Sequence, residues 1–145
     1  MSETAFVDPT RTQFDAFKGL DRHHPIEMLN LVRFRERAKY PSDHTLARDG
    51  LTGAQAYSLY GQHTADVLQR VGGSIIWRAS FETTLIGPDA EAWDVMFIAR
   101  YPTAHAFLAM ISDADYQSAV VHRQAGVATS RLIRTKPDAT GTSFG

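Results

Sequence analysis

Hydrophobic periodicity changes along this chain in an order that few folds can accommodate. Residues 25–35, centred on IEMLNLVRF, alternate as a strand does. TGAQAYSLYGQHTADVLQRVGG (52–73) switches to helical spacing, with Tyr57, Tyr60, Gly61, Thr64, Val67, Leu68 and Val71 on one face. Thr52 and Gln55 fit a capping box, and Gly72 with Gly73 fits a helix stop. SIIWRASFETTLIG (74–87) and WDVMFIARY (93–101) return to the β-branched and aromatic composition of strands, joined by the hairpin-like PDAEA. Thr103 and Asp113 then cap two short helices, and SRLIRT (130–135) reads as a last strand.

The order is β-α-β-β-α-β with the second crossover helix broken in two. It predicts an α+β, ferredoxin-like fold with an antiparallel four-stranded sheet and helices on one face. The opposite face then needs a cover. A second copy of the same sheet would supply it, so a homodimer is expected. Ahead of the first strand, DPTRTQFDAFKGL predicts a short helix with Asp8 as N-cap, Pro9 at its first position and Gly19 at its end. AKYPSDHTLARDG, after the first strand, is polar and turn-rich and reads as a loop. The expected organisation is a helical extension over 1–24, the main domain over 25–136 and a mobile tail over 137–145.

Bulk properties exclude several classes. A chain of 145 residues makes one domain with a real core. A net charge of −1 provides no positive field for phosphate backbones, so nucleic acid is not an expected partner. With no cysteine there is no disulfide, thiolate metal site or cysteine nucleophile. No apolar run reaches the ~18 residues of a membrane helix, and the first residues carry no secretory pattern, so a cytoplasmic protein without membrane contact is expected.

The segments MLNLVRFRERAKYP, GAQAYSLYG, VGGSIIWRA, ETTLIGP, WDVMFIARYPT, FLAMISDADYQ and HRQAGVATSRLI occur in this order over roughly residues 25–135. Together they resemble the domain-of-unknown-function 1330 family, within the dimeric α/β-barrel superfamily. The resemblance implies two four-stranded sheets facing each other around an interior cavity. It brings no named activity. The superfamily includes cofactor-free monooxygenases, lactone isomerases, haem enzymes and ligand-sensing domains, and fold alone does not choose among them.

The residues themselves suggest a site. In the first strand Met28, Asn30, Val32 and Phe34 share one face, while Leu29 and Leu31 share the other and suit packing under helices. In the second, Ile75, Trp77, Ala79, Phe81 and Leu85 form the more apolar face, leaving Ile76, Arg78, Ser80 and Glu82 opposite. If both mixed faces turn inward, Asn30, Arg78, Ser80 and Glu82 meet in one cavity walled by Met28, Phe34 and Ile76. Arg78, a residue type that the family resemblance also favours on the strand after Gly72–Gly73, would clamp an anionic group, and Asn30 would orient a carbonyl or hydroxyl. Glu82 would act as general acid or base. Each has a plain structural alternative: Asn30 satisfying a backbone group, and Arg78 and Glu82 pairing across strands or meeting solvent. Arg123 lies on an otherwise apolar helix face. It must snorkel, find a carboxylate or carbonyl partner that ties the helix to the sheet or to a partner subunit, with Asp94 and Glu82 as candidates, or bind a ligand. Tyr60 is kept as a possible ligand-binding residue because its hydroxyl lies near the edge of its stripe, whereas the other aromatics read as core or interface.

The six histidines, at 23, 24, 44, 63, 105 and 122, show no metal-ligand spacing, so no metal is expected. No position argues for a haem ligand, and nucleophile-elbow, phosphate-loop and dinucleotide motifs are absent, so no cofactor is expected. Three functions remain open: a cofactor-free enzyme acting on a small organic acid or aromatic compound, of monooxygenase or isomerase type by what the superfamily resemblance implies, a small-molecule binding or sensing module, and a structural dimer.

Overall fold

The computed structural model describes residues 5–145. The first four residues of the expected N-terminal extension lie outside this range. Helix α1 spans Arg11–Gly19, strand β1 Ile26–Phe34, helix α2 Gly53–Arg70, strand β2 Ser74–Ser80 and strand β3 Val95–Tyr101. Helices α3, Ala104–Ser112, and α4, Ala114–Gly126, follow, and strand β4 is Val127–Thr135. The sheet runs β2-β3-β1-β4 and every neighbouring pair is antiparallel. This is the ferredoxin-like split βαβ order. Within the chain the sheet is open, so a barrel would require a second copy.

The caps explain where the helices start. The Thr52 hydroxyl accepts from Gln55 N at 3.1 Å, and the Gln55 side chain accepts from Thr52 N at 2.9 Å. Thr103 and Asp113 cap α3 and α4 as the sequence indicates. Helix α1 differs from expectation. Its N-cap is Thr10, whose hydroxyl accepts from Gln13 N at 3.1 Å, while the Asp8 carboxylate accepts from Gln124 of α4 at 3.3 Å. Strand β2 also ends earlier than expected, at Ser80, because β3 begins only at Val95, opposite Ser80. Residues 81–94 form a connection braced by a Thr84 hydroxyl to Glu91 carbonyl bond of 2.9 Å.

The core lies between the sheet and the helices. Ile26 and Met28 of β1, Ala99 and Tyr101 of β3, Val67 of α2, Phe107 and Met110 of α3 and Tyr116 of α4 are buried together. This reverses the face assignment read from the sequence. Ile26, Met28 and Val32 face the helices, so Asn30 does too, and Leu29 and Leu31 lie on the open side. The apolar residues flanking Asn30 at two-residue spacing outweigh its single amide. In β2 an extra residue breaks the alternation. Ile75 pairs with Ala99 and Trp77 with Ile98, leaving Ile76 unpaired between them. Ile75 therefore shares the helix side with Arg78 and Ser80, while Trp77 and Ala79 turn to the open side. Pairing places Leu29, Leu31, Met96, Ile98, Trp77 and Ile133 together on that open face, where Trp77 is 43% and Ile133 46% exposed.

The loop after β1 is closely packed. Tyr40 is buried with Ala56 and Ala125, and Lys39 N donates to the Ala125 carbonyl at 2.9 Å. The Tyr40 ring stacks on His44 at 4.7 Å, and its hydroxyl lies 2.7 Å from His122 Nδ1. His63 of α2 completes this cluster, with its ring 5.0 Å from that of His122.

Candidate functional site

A cavity of about 1260 Å³ lies between the helix-facing side of the sheet and the four helices. β1 supplies Met28 and Asn30, β2 Ile75 and Arg78, β3 Phe97, Ala99 and Tyr101, and β4 Ser130 and Leu132. Tyr57, Tyr60 and Leu68 come from α2, Phe107 and Met110 from α3, and Tyr116 and Arg123 from α4. Gln13, Phe14 and Phe17 of α1 close one side. That helix buries no residue of its own. It is held by Arg134, which donates to the Phe17 carbonyl at 3.2 Å and lies 4.8 Å from the Phe17 ring centre.

Four of the five side chains singled out in the sequence line this cavity: Asn30, Arg78, Tyr60 and Arg123. Glu82 does not. It is exposed in the connection beyond the end of β2, and Ser80 also lies outside the lining. The cavity belongs to the space between sheet and helices of one chain. The expected cavity between two facing sheets is replaced by this one because the face that carries Met28 and Asn30 turns to the helices.

Asn30 is half-buried, and its amide donates to the Met28 carbonyl at 3.0 Å. That bond provides the satisfied-amide explanation for its donor. Among the described residues no donor reaches its side-chain oxygen. Arg123 is half-buried, and its guanidinium donates to the Val7 carbonyl and, at 3.2 Å, to the Ser130 hydroxyl. Neither candidate carboxylate is its partner. Asp94 instead accepts from Phe34 N at 2.7 Å. Arg123 thus ties the N-terminal segment to β4 and brings an unneutralised charge to the cavity wall. Arg78 is exposed and has no ion pair or hydrogen bond among the described residues.

Tyrosines form the opposite wall. Tyr57 and Tyr60 rings lie 5.3 Å apart, and the Tyr60 and Tyr116 hydroxyls meet at 3.1 Å. The Tyr57 hydroxyl has no hydrogen-bond partner among the described residues. Burial pushes its pKa up to about 12, against a smaller opposing pull from Arg123. Burial also raises Tyr60 well above the usual phenol value. Both hydroxyls therefore stay protonated at neutral pH; Tyr57 is free to donate, and within the Tyr60–Tyr116 pair one hydroxyl donates to the other and keeps one proton available. Sequence reasoning grouped Tyr57 with the core. Its three-residue spacing from Tyr60 was the available signal, since both fall on one helix stripe.

The charged lining consists of Arg78, Arg123, Arg131 and Arg134 against one carboxylate, Asp8. Such a wall favours an anionic guest. Among the described residues no group of three or more His, Cys, Asp or Glu is placed to hold a metal ion. No helix among them is long and apolar enough to cross a membrane.

The profile of the family described as a domain of unknown function, DUF1330, matches residues 45–135. RPA0582, a protein of unknown function from Rhodopseudomonas palustris, is similar along nearly the whole chain. Its crystal structure is 50% identical, covers 94% of this chain and 100% of its own, and superposes with a TM-score of 0.87. The methylated RPA0582 structure is 48% identical over 97% of this chain and 100% of its own, with a TM-score of 0.89. SnoaB from Streptomyces nogalater, described as a cofactor-independent oxygenase, shares the fold at 14% identity and a TM-score of 0.50, covering 81% of this chain and 96% of its own. No curated protein matches the chain. The family profile and the full-length likeness to RPA0582 agree, and the chain belongs to the DUF1330 family.

Proposed function

We propose that this protein binds a small organic molecule in the cavity between its sheet and helices, and that it does so as a homodimer joined through the open sheet face. The observation that carries the ligand reading is the Tyr57 hydroxyl. It lines a large cavity with no protein partner among the described residues, beside two arginines that no carboxylate neutralises, so its proton is available to a guest. Apolar walls with a few converging polar groups are the general form of small-molecule sites. The ligand-binding residues are Asn30, Tyr57, Tyr60, Arg78 and Arg123. The dimer reading rests on the apolar open face, where Trp77 and Ile133 remain about half exposed in the single chain.

Catalysis without a bound cofactor is the second reading. Protonated tyrosines facing two arginines would stabilise an enolate or phenolate that develops on a bound substrate. The likeness to SnoaB concerns the fold, and its described oxygenase activity enters here by analogy alone. Glu82 is left out of this site because of its position outside the cavity.

Native mass spectrometry of the untagged protein tests both parts. A dimer that carries a discrete small mass, released on denaturation, is the expected result. A monomer would remove the dimer, and failure to retain or take up any small molecule across a ligand screen would remove the site. Turnover of an identified ligand in air, compared with anaerobic incubation, separates oxygenase chemistry from simple binding.

A further inference from the structure

The cavity has two chemically different ends, and the sheet register defines them. Arg78, Phe97 and Asn30 form one row across the sheet, and Ile75, Ala99 and Met28 form another. Tyr101 lies four residues beyond Phe97 along β3, which at roughly 3.3 Å per residue is about 13 Å away. Near the first row stand the Arg78 guanidinium and the Tyr57 hydroxyl, neither with a hydrogen-bond partner among the described residues, and Arg123, which bonds Ser130 of the adjoining strand β4. Around Tyr101 the wall is Phe107, Met110 and Leu68. Phe107 packs at 5.3 Å against Tyr101 and at 5.1 Å against Phe17 of α1. Arg134 is the cation at that end. Its guanidinium is already committed to the carbonyls of Phe17 and Asp21.

We infer that the natural ligand is an amphipathic organic carboxylate, with its anionic head between Arg78 and Tyr57 and an extended apolar body reaching toward Tyr101 and Phe107. The inference rests on the cavity being a ligand site and adds the class of ligand. A carboxylate would accept from the Tyr57 hydroxyl and from the Arg78 fork, satisfying the donors at this end that the protein leaves without partners. A cationic head would meet Arg78 and Arg123 at close range, and a neutral head would leave their charge uncompensated. The one cation at the apolar end, Arg134, is engaged by two carbonyls, so a second carboxylate would find no free positive charge there.

Isothermal titration calorimetry with decanoate, decanol and decylamine tests this, because the three share one apolar body and differ in the head. Decanoate is expected to bind at least about tenfold more tightly than decanol, with decylamine weakest. Arg78→Ala and Tyr57→Phe should each weaken decanoate several-fold more than they weaken decanol, narrowing the gap between the two. Arg78 is exposed and makes no internal bond, so its replacement leaves the fold intact, and thermal melting confirms this for both variants. Decanol binding as tightly as decanoate, or a decanoate affinity indifferent to both substitutions, would overturn the carboxylate assignment while leaving the cavity as a ligand site. If none of the three probes binds, the ligand class falls, and the ligand screen by native mass spectrometry then decides separately whether the cavity reading falls with it.

Discussion

An added Cβ on Gly126 would sit 2.6 Å from the carbonyl oxygen of Gly53, and one on Gly53 would sit 2.7 Å from the carbonyl oxygen of Gly126. The start of α2 and the end of α4 therefore meet backbone to backbone. Arg35 N closes the contact on the Gly126 carbonyl at 2.8 Å, and Gly53 N on the Arg35 carbonyl at 3.0 Å. This junction sets the separation of the two helices that roof the cavity. Alanine in an unobstructed helix is favoured over glycine by about 0.5–1 kcal/mol. Here the obstruction is main chain, which cannot rotate away, so Gly126→Ala should destabilise by about 1–3 kcal/mol. Urea unfolding reads the sign, and a stabilised variant would refute the close contact.

Arg123 ties the N-terminal segment to β4, and two measurements test that role. Arg123→Gln should loosen the N-terminal segment, because it removes the guanidinium bonds to Val7 and Ser130. The Ser130 amide, which donates to the Phe6 carbonyl at 2.7 Å, should then exchange its hydrogen faster. The stability loss should be about 1–3 kcal/mol. Unchanged exchange at Ser130 would show that the anchor lies elsewhere.

His122 makes stability depend on pH. It is buried, and its pKa is lowered by that burial first, then by His63 and His44. A histidine whose pKa is depressed on folding binds its proton more readily in the unfolded chain. Its contribution is therefore intact above the unfolded value near 6.5 and is lost as pH falls below it, down to the folded pKa. The melting temperature should drop between about pH 7.5 and about pH 5.5. His122→Gln, which can keep a bond to the Tyr40 hydroxyl, should flatten that dependence. An identical slope in the variant would assign the effect to other groups.

The tyrosines can be followed by their own absorbance. Burial raises Tyr40, Tyr57, Tyr60 and Tyr101 above the ordinary value of 10.0, with Tyr57 at about 12. Alkaline titration of the folded protein should reveal tyrosinate later than the same titration in denaturant. Tyr57→Phe should remove a group that titrates near 12. Coincident curves for folded and denatured protein would contradict the buried phenol wall.

The proposed dimer makes one demand on the open face. Trp77→Asp places a charge among Ile98, Leu29 and Ile133 without touching the cavity side of the sheet. The variant should run as a folded monomer in size-exclusion chromatography with light scattering, while its circular dichroism stays native. Retention of a dimer would place the interface on another surface.

Much of the architecture was legible because it is written locally. The capping box of Thr52 and Gln55, the caps at Thr103 and Asp113 and the glycines after α2 are short-range signals read within four residues. Their order implied the split βαβ sheet without any knowledge of contacts. The candidate side chains Asn30, Arg78, Tyr60 and Arg123 stood out as polar groups on apolar stripes, and all four line one cavity. The misplaced features have specific causes. The N-cap of α1 moved from Asp8 to Thr10 because Gln124, far away in sequence, engages Asp8. Glu82 was counted into β2 because the alternation of residues continues past Ser80, whereas pairing with β3 stops there.

The elements, their order and the residue types available for a site follow from local signals, because turn chemistry, capping and hydrophobic period act over a few neighbouring residues. Tertiary structure alone decided which face of the sheet meets the helices. A strand offers two faces at every register, and only packing against Val67, Phe107 and Met110 selects the one carrying Met28 and Asn30. The extra residue at Ile76 likewise has no sequence signature, yet it brings Ile75 to the same side as Arg78. The unpaired state of Tyr57 and Arg78 is equally a property of the assembled fold, since whether a donor finds a partner depends on chain segments remote from it.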